Sequence, residues 1–144
     1  MDTVFQTISA PFSYSFTVDE SHIDVFGHVN NAEYLRLFED ARWDIVSSGG
    51  FGIEFMKEMK QGPVITEVNI KYLREIRPGQ EITITSTCRM ATDLIFHVEQ
   101  NMRDSEGVLY SEALFIGGLF DLAERRIIPP TAQWLQAMGL PRDR

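Results

Sequence analysis

The residue types best suited to chemistry are concentrated in one short segment, from Asp24 to Asn31. Asp24 supplies a carboxylate, which can act as a nucleophile or as a general base. At the other end, Asn30 and Asn31 are typical helix-start residues, because a side-chain amide can accept a hydrogen bond from a free backbone N–H. A helix start presents unpaired N–H groups and the positive end of the helix dipole, and such donors can stabilise an oxyanion. The segment therefore contains the groups that acyl transfer needs.

Two residues inside the segment have narrower expected roles. Gly27 has no side chain, so the backbone there can approach a ligand closely. His28 precedes the helix start, where it either supports catalysis or satisfies backbone groups of the loop. Asp24 also has a plain alternative role, which is to cap a turn of the loop. For both residues the sequence by itself leaves the two roles open.

Hydrophobic periodicity predicts the elements that position this segment. The alternation from Phe12 to Val18 is typical of a half-buried strand, and the apolar residues from Ala32 to about Val46 recur at helical spacing. After Gly62 the period changes to two, which indicates strands. The further predicted elements are a helix over 53–59, strands over 64–76, 81–90, 94–103 and 108–122, and a closing helix that begins at Pro129-Pro130 and ends at Met138.

Three features within these elements carry structural predictions. Gly117 and Gly118 lie inside the last predicted strand, which indicates a bulge or a close approach of two backbones. Glu39 and Arg42 are placed on the long helix at a spacing that permits an ion pair. Cys88 lies in the middle of a strand with no catalytic pattern around it, so we expect it to be inert.

The order of the elements predicts the fold class. Helices and strands do not alternate along the chain, which argues against a parallel α/β fold. A strand and a long helix are instead followed by four strands with hairpin links. We predict an α+β fold in which a curved antiparallel sheet wraps a long central helix. The 144 residues are the usual length of one domain, and we predict that residues 1–144 form it.

Composition and charge narrow the classes of partner. A net charge of −8 argues against a nucleic-acid partner, because such proteins concentrate positive charge. No apolar run approaches the ~20 residues that a membrane helix needs, and residues 1–5 lack the features of a secretory signal. We therefore expect a cytoplasmic location and no membrane partner. One cysteine excludes an intrachain disulfide, and three scattered histidines show no metal-ligand spacing, so no metal is expected.

The stretch from His22 to Arg42 resembles the 4-hydroxybenzoyl-CoA thioesterase family of hot-dog proteins. The family pattern has an Asp, two residues, a Gly and a tail of the form Tyr-Leu-x-x-Phe-Glu-x-Ala-Arg. A weaker resemblance extends over residues 64–122. The segment His28 to Asn31 is similar to the acyl-CoA and acyl-ACP thioesterase variants. The residues that match the family pattern are Asp24, Gly27, Tyr34, Leu35, Phe38, Glu39, Ala41 and Arg42.

The resemblance implies a hot-dog fold and hydrolysis of a thioester, on coenzyme A in preference to acyl carrier protein. It implies that Asp24 is the catalytic carboxylate and that the backbone N–H near Asn31 polarises the thioester carbonyl. Gly27, Val29 and Tyr34 are then expected to contact the substrate. No cofactor is implied, because coenzyme A is part of the substrate.

Coenzyme A carries phosphates, whereas the chain is acidic overall, so we expect a local basic group to meet them. Lys71, Arg74 and Arg89 are the residues that we predict to bind substrate, with Arg77 and Arg103 as further members of the group. The alternative is that all five are ordinary solvated residues of the sheet. The resemblance also implies a homodimer or a dimer of dimers, and a sheet with an open edge favours such pairing.

Two other functions stay open at this point. A hot-dog hydratase or dehydratase usually pairs a histidine with an acid for proton transfer beside a thioester, and a non-catalytic hot-dog protein would only bind acyl-CoA. The layout from Asp24 to Asn31 fits the thioesterases better than the hydratases. Phe26 stands where plant-type acyl-ACP thioesterases have an asparagine, which argues against an Asp-Asn-His mechanism.

Overall fold

Alternating apolar residues form the strands of one antiparallel sheet in the computed structural model, which describes residues 7–141. Residues 1–5, on which the expectation of no secretory signal rests, lie outside that range. The strand order is β1-β3-β4-β5-β2, and β6 pairs with the end of β5. Sequence reasoning missed β6, which is short. The strands are β1 (Phe12–Thr17), β2 (Gln61–Tyr72), β3 (Glu81–Met90), β4 (Ile95–Asp104), β5 (Leu109–Asp121) and β6 (Arg126–Ile128).

Three α-helices accompany the sheet, and two of them follow the predicted bounds closely. They are α1 (Asn31–Ser48), α2 (Ile53–Met59) and α3 (Ala132–Ala137). The helix α1 begins where predicted, because the side chain of Asn30 accepts the N–H of Ala32. The helix α3 begins later than predicted. Thr131 caps it by accepting the N–H of Trp134, so Pro129 and Pro130 precede the helix and do not open it.

The helix α1 lies across one face of the sheet and buries its apolar side there. The ring of Phe38 meets that of Phe115 edge to face at 5.7 Å between centroids. On the sheet, the residues facing α1 alternate with outward ones, as the period of two requires. The predicted α+β arrangement is thus present. The buried residues of α1 are Tyr34, Leu37, Phe38, Ala41, Ile45 and Val46.

The strand β2 begins earlier than predicted because it lies at the edge of the sheet. Gly62-Pro63 is typical of a break between elements, yet Pro63 pairs with Leu119 of β5. The other side of β2 has no partner strand within residues 7–141. A proline removes no ladder hydrogen bond on that open side, so the strand tolerates it.

The irregularity predicted near Gly117 is confirmed, although the bulge itself lies in the neighbouring strand. The register of β2 against β5 shifts between Ile65 and Glu67, which leaves Thr66 as the extra residue. A Cβ atom added to Gly117 would lie 2.0 Å from the carbonyl oxygen of Val64. The two backbones can approach so closely only because Gly117 has no side chain.

Arg42 turns inward from α1 and does not pair with Glu39. Its guanidinium donates to Oε1 of Gln100 at 2.9 Å and lies 3.9 Å from the centre of the Phe115 ring. Gln100 is buried and donates in turn to the carbonyl of Phe38. Within residues 7–141 the ion pair that the spacing permits between Glu39 and Arg42 does not form, although the Glu39 carboxylate still acts to raise the pKa of Arg42 against the effect of burial. A cation–π contact and a fixed hydrogen bond take its place.

Cys88 is buried on the inner face of β3, and burial raises the pKa of its thiol to about 12, with a hydrogen bond to Ser9 opposing the shift. We expect the folded protein to leave a thiol reagent such as dithionitrobenzoate unreacted at pH 8, and the denatured protein to react with one equivalent. The folded pKa of Cys88 lies above the unfolded value of about 8.5. The contribution of this thiol to the free energy of unfolding is therefore fully present below pH 8.5 and is lost as the pH rises towards 12. Rapid stoichiometric labelling of the folded protein would contradict the assignment.

Candidate active site

Asp24 opens a tight turn at the tip of the loop that precedes α1. The N–H of Gly27 donates to the Asp24 carbonyl at 3.0 Å, and the N–H of Asp24 donates to the His28 carbonyl at 3.1 Å. A bridge between Ile23 and Val29 closes the base of this turn. Gly27 has a φ of +83°, in the left-handed region that glycine adopts without strain. The glycine of the motif therefore shapes the turn that presents Asp24.

Both oxygens of the half-buried Asp24 carboxylate accept hydrogen bonds. Oδ1 accepts the N–H of Phe26 at 2.9 Å, and Oδ2 accepts Nδ2 of Asn30 at 3.3 Å. The first bond is the turn cap that the sequence allowed as a plain role for this residue. The second bond fixes the carboxylate relative to the start of α1. The turn cap and a chemical role are thus compatible in one side chain.

Asn30 connects the carboxylate to the helix start. Its Oδ1 accepts the N–H of Ala32, and its carbonyl accepts the N–H of Glu33, each at 2.9 Å. Asn31, the first residue of α1, keeps an N–H without a partner within residues 7–141. Capping chemistry predicts Asn30 only as a cap and misses its bond to Asp24, because only the turn between them brings the two side chains together.

The two histidines of the segment are held by local contacts. The Nδ1 of His28 lies 3.2 Å from the carbonyl of Val29, and its ring stacks on that of Phe26 at 6.2 Å between centroids. His22 caps the 3₁₀ turn Glu20–His22, since its Nδ1 accepts the N–H of Asp19. His22 therefore serves as a loop residue. The contribution of His28 to catalysis stays a prediction.

Two residues that we predict to contact the substrate, Tyr34 and Val29, are buried in the core of the chain, and their contact with substrate stays a prediction. Tyr34 is 3% exposed, and its hydroxyl donates to the Arg74 carbonyl at 3.4 Å. Burial raises the pKa of the Tyr34 phenol. The Val29 side chain is also buried, and its N–H donates to the Ile76 carbonyl at 2.9 Å. Both residues tie the Asp24 loop and the start of α1 to the segment after β2.

That segment turns toward α1 because β2 ends at Tyr72 and not at the predicted Ile76. The N–H groups of Leu73 and Arg74 both donate to the carbonyl of Tyr110, so the chain leaves the ladder there. The hydroxyl of Tyr72 donates to the carbonyl of Asn31 at 3.4 Å. The first residues after β2 are thereby placed beside the helix start.

The five basic residues predicted to meet phosphates are divided between two places. Arg74 and Arg77 are exposed in the segment that contacts the Asp24 loop, where Arg77 pairs with Glu75 at 2.6 Å. The other three point away from α1, since each is preceded in its strand by an inward residue. These three are Lys71, which pairs with Glu112, Arg89, which donates to His97, and Arg103, which donates to Asn101.

A groove and a cavity adjoin along α1, on the side that faces β2. The groove, here called the α1 groove, runs between Leu35 on the helix and Val68 on the strand, both of which are exposed. It shares the walls Glu39, Arg42 and Ile65 with a cavity of about 90 Å³. We call this cavity the α3 cavity, and its remaining walls are Trp43, Ile45, Val46, Pro63, Cys88, Phe96, Val98, Trp134 and Met138.

Substitutions of Asn30 can distinguish the effects of its two side-chain hydrogen bonds, one to the Asp24 carboxylate and one from the N–H of Ala32. Asn30→Asp keeps an oxygen to cap Ala32 but replaces the donor to Asp24 with a negative charge. We expect kcat to fall about 10- to 100-fold, the value of one hydrogen bond to a charged group. The melting temperature should stay near that of the native protein, whereas Asn30→Ala should also lose about 1 kcal/mol of helix cap. An unchanged kcat in Asn30→Asp would show that this bond does not orient Asp24 for catalysis.

Within residues 7–141, no group of three or more His, Cys, Asp or Glu side chains is arranged to hold a metal ion. Among the helices of the same range, none combines the length and apolarity needed to cross a membrane.

Comparison with known proteins places this geometry in a family. A profile described as the thioesterase-like superfamily matches residues 18–138. The long-chain acyl-CoA thioesterase FadM of Escherichia coli K12 is 31% identical over 109 residues, which cover 74% of this chain and 81% of FadM. The residues that the profile matches contain the Asp24 loop, α1 and the whole of β2 to β5.

Solved structures of other proteins share this fold. The probable thioesterase YbaW from E. coli has a TM-score of 0.78 at 27% identity, over 88% of this chain and 98% of YbaW. The 1,4-dihydroxy-2-naphthoyl-CoA thioesterase Slr0204 from Synechocystis has a TM-score of 0.82 at 18% identity, over 90% and 96% of the two chains, and shows the shared fold. The predicted hot-dog fold is confirmed. The chain belongs to the thioesterase-like superfamily and is a thioester hydrolase.

Proposed function

We propose that the protein hydrolyses acyl-CoA, with Asp24 as nucleophile or general base and the N–H of Asn31 polarising the thioester carbonyl. One observation carries this proposal: the Asp24 carboxylate is held at both oxygens beside a helix start that keeps a free N–H within residues 7–141. The acyl-CoA thioesterase FadM supports the choice of substrate. So does the protein SAV2348 from Staphylococcus aureus, solved in complex with CoA, which has a TM-score of 0.81 at 19% identity over 92% and 84% of the two chains.

In the proposed reaction, Asp24 activates the attacking group and the N–H of Asn31 stabilises the oxyanion that forms. As a general base, Asp24 takes a proton from a water molecule whose oxygen attacks the carbonyl carbon. The carbonyl oxygen becomes an oxyanion, which the N–H of Asn31 and the positive end of the α1 dipole stabilise. The intermediate then expels the CoA thiolate, which takes up the proton, and the free acid remains. As a nucleophile, Asp24 would attack the carbonyl carbon and expel the CoA thiolate to form an anhydride with the acyl group. Water would hydrolyse that anhydride in a second step, and the thiolate would take up the proton that the resulting acid gives up.

The similarity to the long-chain acyl-CoA thioesterase FadM supports an elongated acyl group, and the α1 groove offers a path for it. The walls of the groove are half apolar, namely Leu35, Ile65, Val68 and Phe115, and half charged, namely Arg36, Glu39, Asp40 and Arg42. The helix extends from Asn31 to Arg42 for about 16 Å, at ~1.5 Å per residue. A bilayer core of about 30 Å is two chains thick, so one long acyl chain spans about 15 Å. A thioester placed at Asn31 could therefore lay a long acyl chain along the groove as far as Arg42. We infer a preference for long-chain acyl-CoA, and no cofactor is required beyond the CoA of the substrate.

Arg74 and Arg77 are the basic residues that we propose for the CoA phosphates, because they lie in the segment beside the Asp24 loop. The double variant Arg74→Glu, Arg77→Glu should raise KM for acyl-CoA and weaken the dependence of KM on salt. kcat should change little, as expected when ground state and transition state lose the same contact.

The matched control reverses two charges on the outward face of the sheet, with Lys71→Glu and Arg103→Glu. It should leave KM near the native value. If the control raises KM and the first variant does not, CoA binds across the outward face, where Arg89 also lies.

We propose that the active protein is a homodimer or a dimer of dimers in the cytoplasm. The outer edge of β2 has no partner strand within residues 7–141. The Asp24 turn also exposes two apolar side chains at its tip, Val25 at 95% and Phe26 at 79%, which a neighbouring subunit would cover. Light scattering at micromolar concentration tests this, and a species of only 16.5 kDa would contradict it.

A panel of acyl-CoAs of increasing chain length tests the function itself. Hydrolysis releases a thiol, which dithionitrobenzoate detects, and buried Cys88 should add no background. Hydration of an enoyl-CoA without thiol release would favour the hydratase alternative. Binding without turnover would favour a non-catalytic acyl-CoA-binding protein. Maximal kcat/KM on short chains would contradict the inferred long-chain preference.

A further inference from the structure

The α3 cavity is more apolar than the α1 groove that leads to it. Half of the walls of the groove are charged, whereas the charged walls of the cavity are Glu39 and Arg42, which it shares with the groove. Its inner walls, such as Cys88, Val98 and Phe96, are apolar and buried. Burial of apolar surface is favourable and desolvation of charged groups is not, so the cavity accommodates a hydrocarbon segment better than the groove does.

The volume of the cavity suits the end of a hydrocarbon chain. The cavity measures about 90 Å³. An apolar cavity of about 150 Å³ binds benzene, which has six carbons, so a cavity of this size holds about three or four carbons. Apolar cavities stay dry, and a hydrocarbon that enters one displaces no bound water. An apolar occupant of a few carbons is therefore favoured.

The length of the path places the cavity at the far end of a long acyl chain. The cavity begins at Glu39, which lies about 12 Å from Asn31 at ~1.5 Å per residue along α1. An extended chain advances about 1.2 Å per bond, since an extended polypeptide gains about 3.6 Å over the three backbone bonds of a residue. A chain with its thioester carbonyl at Asn31 therefore enters the cavity at about its eleventh carbon, and about three or four more carbons fill it.

Helix α3 closes the inner side of the cavity with a side chain that is held in place. This side chain is Trp134, here called the floor of the cavity, and its ring meets those of Phe51 and Phe96 at 5.0 and 5.8 Å between centroids. A Cβ atom added to Gly49 would lie 2.7 Å from Cα of Ala137, so α3 is in close contact with the end of α1. A floor fixed in this way cannot move to admit a longer chain without a loss of packing.

We propose that the α3 cavity receives the methyl end of the acyl chain and that its floor sets the longest chain that the protein hydrolyses efficiently. The preferred substrates are then acyl-CoAs with unbranched chains of about 14 to 16 carbons. Val98 is the residue that we assign to this limit, because it lines the cavity from the inner face of β4, between Cys88 and Phe115 of the neighbouring strands. The inference rests on the proposed function, since it assumes a thioester at Asn31 and a chain along the α1 groove.

The first test measures kcat/KM of the native protein for saturated acyl-CoAs from octanoyl-CoA to eicosanoyl-CoA, each below the concentration at which it forms micelles. The value should rise about fourfold for each carbon that enters the cavity, which is the effect of one buried methylene. It should fall about tenfold between the best substrate and eicosanoyl-CoA, because the additional carbons find no room. A value that rises without a maximum as far as eicosanoyl-CoA would overturn the inference.

Substitutions of Val98 can make the cavity smaller or larger at one position. Val98→Phe places an aromatic ring in the cavity, and the best chain should become about three carbons shorter. Val98→Ala removes both methyl groups, and the best chain should become about two carbons longer. In both variants kcat/KM for octanoyl-CoA should change little, because its chain ends before the cavity.

Val64→Phe is the matched control. Val64 lies in β2 between Pro63 and Ile65, both of which line the cavity, so the alternation of the strand turns its side chain to the outer face of the sheet. The control adds the same ring at a partly exposed position of the edge strand and should leave the best chain length unchanged. An equal shift in Val64→Phe and Val98→Phe would mean that the profile reports a general disturbance of the sheet, and the inference would fail.

The outcomes distinguish this inference from the proposed function. If the native protein hydrolyses the series with a maximum that neither Val98→Phe nor Val98→Ala moves, the chain ends elsewhere, and only this inference fails. Should Val98→Phe not fold, the shift in Val98→Ala decides alone. If the native protein hydrolyses none of the series, the proposed function fails, and calorimetric binding of the same acyl-CoAs to the native protein decides the role of the cavity.

Calorimetric binding to Asp24→Asn, which should not consume the acyl-CoAs, separates recognition from turnover when the native protein is active. The affinity should rise about fourfold per carbon as the chain enters the cavity and should fall beyond the same best length. An affinity that does not depend on chain length in this range would overturn the inference, because the end of the chain would then lie in solvent.

Discussion

Asp24→Asn is expected to reduce kcat for acyl-CoA hydrolysis about 10²- to 10⁴-fold, the usual cost of losing one catalytic acid or base. The carboxylate can attack the carbonyl or activate water, whereas the nearly isosteric amide can do neither. The new side chain keeps an oxygen for the N–H of Phe26 but loses the bond from Asn30, so stability should change by about 1 kcal/mol or less. Binding of acyl-CoA should persist, because the helix start and Arg74 are untouched.

The control for this variant is His28→Ala. The His28 ring contacts the Val29 carbonyl and the ring of Phe26, and it makes no hydrogen bond to the Asp24 carboxylate within residues 7–141. Its loss should therefore cost less in kcat than the loss of the carboxylate. Near-native turnover in Asp24→Asn together with an inactive His28→Ala would reverse the two roles. Native turnover in both variants would mean that this loop is not the active site.

Sequence patterns predict the fold well where local interactions decide the structure. Strand β3 and helix α2 have the predicted bounds, because a strict period and clear turn residues mark them. Predictions fail where the position in the sheet decides the outcome. Pro63 looks like a break between elements until β2 is known to be an edge strand, and β6 exists because β5 extends far enough to pair with it.

In the candidate site, too, local features could be predicted from the sequence and features that depend on the fold could not. Asp24 and the helix start follow from the motif and from capping chemistry, both of which are local in sequence. The bond from Asn30 to Asp24 depends on how the turn folds back, and no spacing rule indicates it. Proximity in sequence also groups neighbouring residues that the alternation of a strand sends to opposite faces. Lys71 and Tyr72 are adjacent, yet Tyr72 contacts α1 and Lys71 pairs with Glu112 on the other face.

The inward orientation of Arg42 could not be inferred from the helix pattern. An i,i+3 ion pair with Glu39 satisfies every local rule, so the sequence favours it. In the structure, Arg42 instead contacts Gln100 of β4 and the ring of Phe115 of β5, both of which are far from it in sequence. This choice leaves a guanidinium in the wall of the α3 cavity and not in solvent.

Gly117→Ala is expected to be the most destabilising single methyl addition in the sheet. The added Cβ would lie 2.0 Å from the Val64 carbonyl oxygen and 3.1 Å from the Phe96 ring, so β2 and β5 must separate at the bulge. Overpacking usually costs about 1–3 kcal/mol, and a clash with backbone belongs at or beyond the upper end. For a domain of this size, about 3 kcal/mol corresponds to a fall in melting temperature of about 10 °C.

Gly62→Ala provides the matched control for Gly117→Ala, because it adds the same methyl group to a glycine of the same strand pair. Its Cβ would lie 3.4 Å from Sδ of Met56, a flexible side chain that can move away. Calorimetry should therefore show a melting temperature within a few degrees of the native protein for Gly62→Ala and a large fall for Gly117→Ala. Equal melting temperatures in the two variants would contradict the close approach of β2 to β5. The close approach of β2 to β5 at Gly117 also sets the position of β2 beside α1, and residues of both elements line the α1 groove and the α3 cavity. If the acyl chain lies along the groove, Gly117→Ala should lower kcat/KM on long acyl chains more than on short ones.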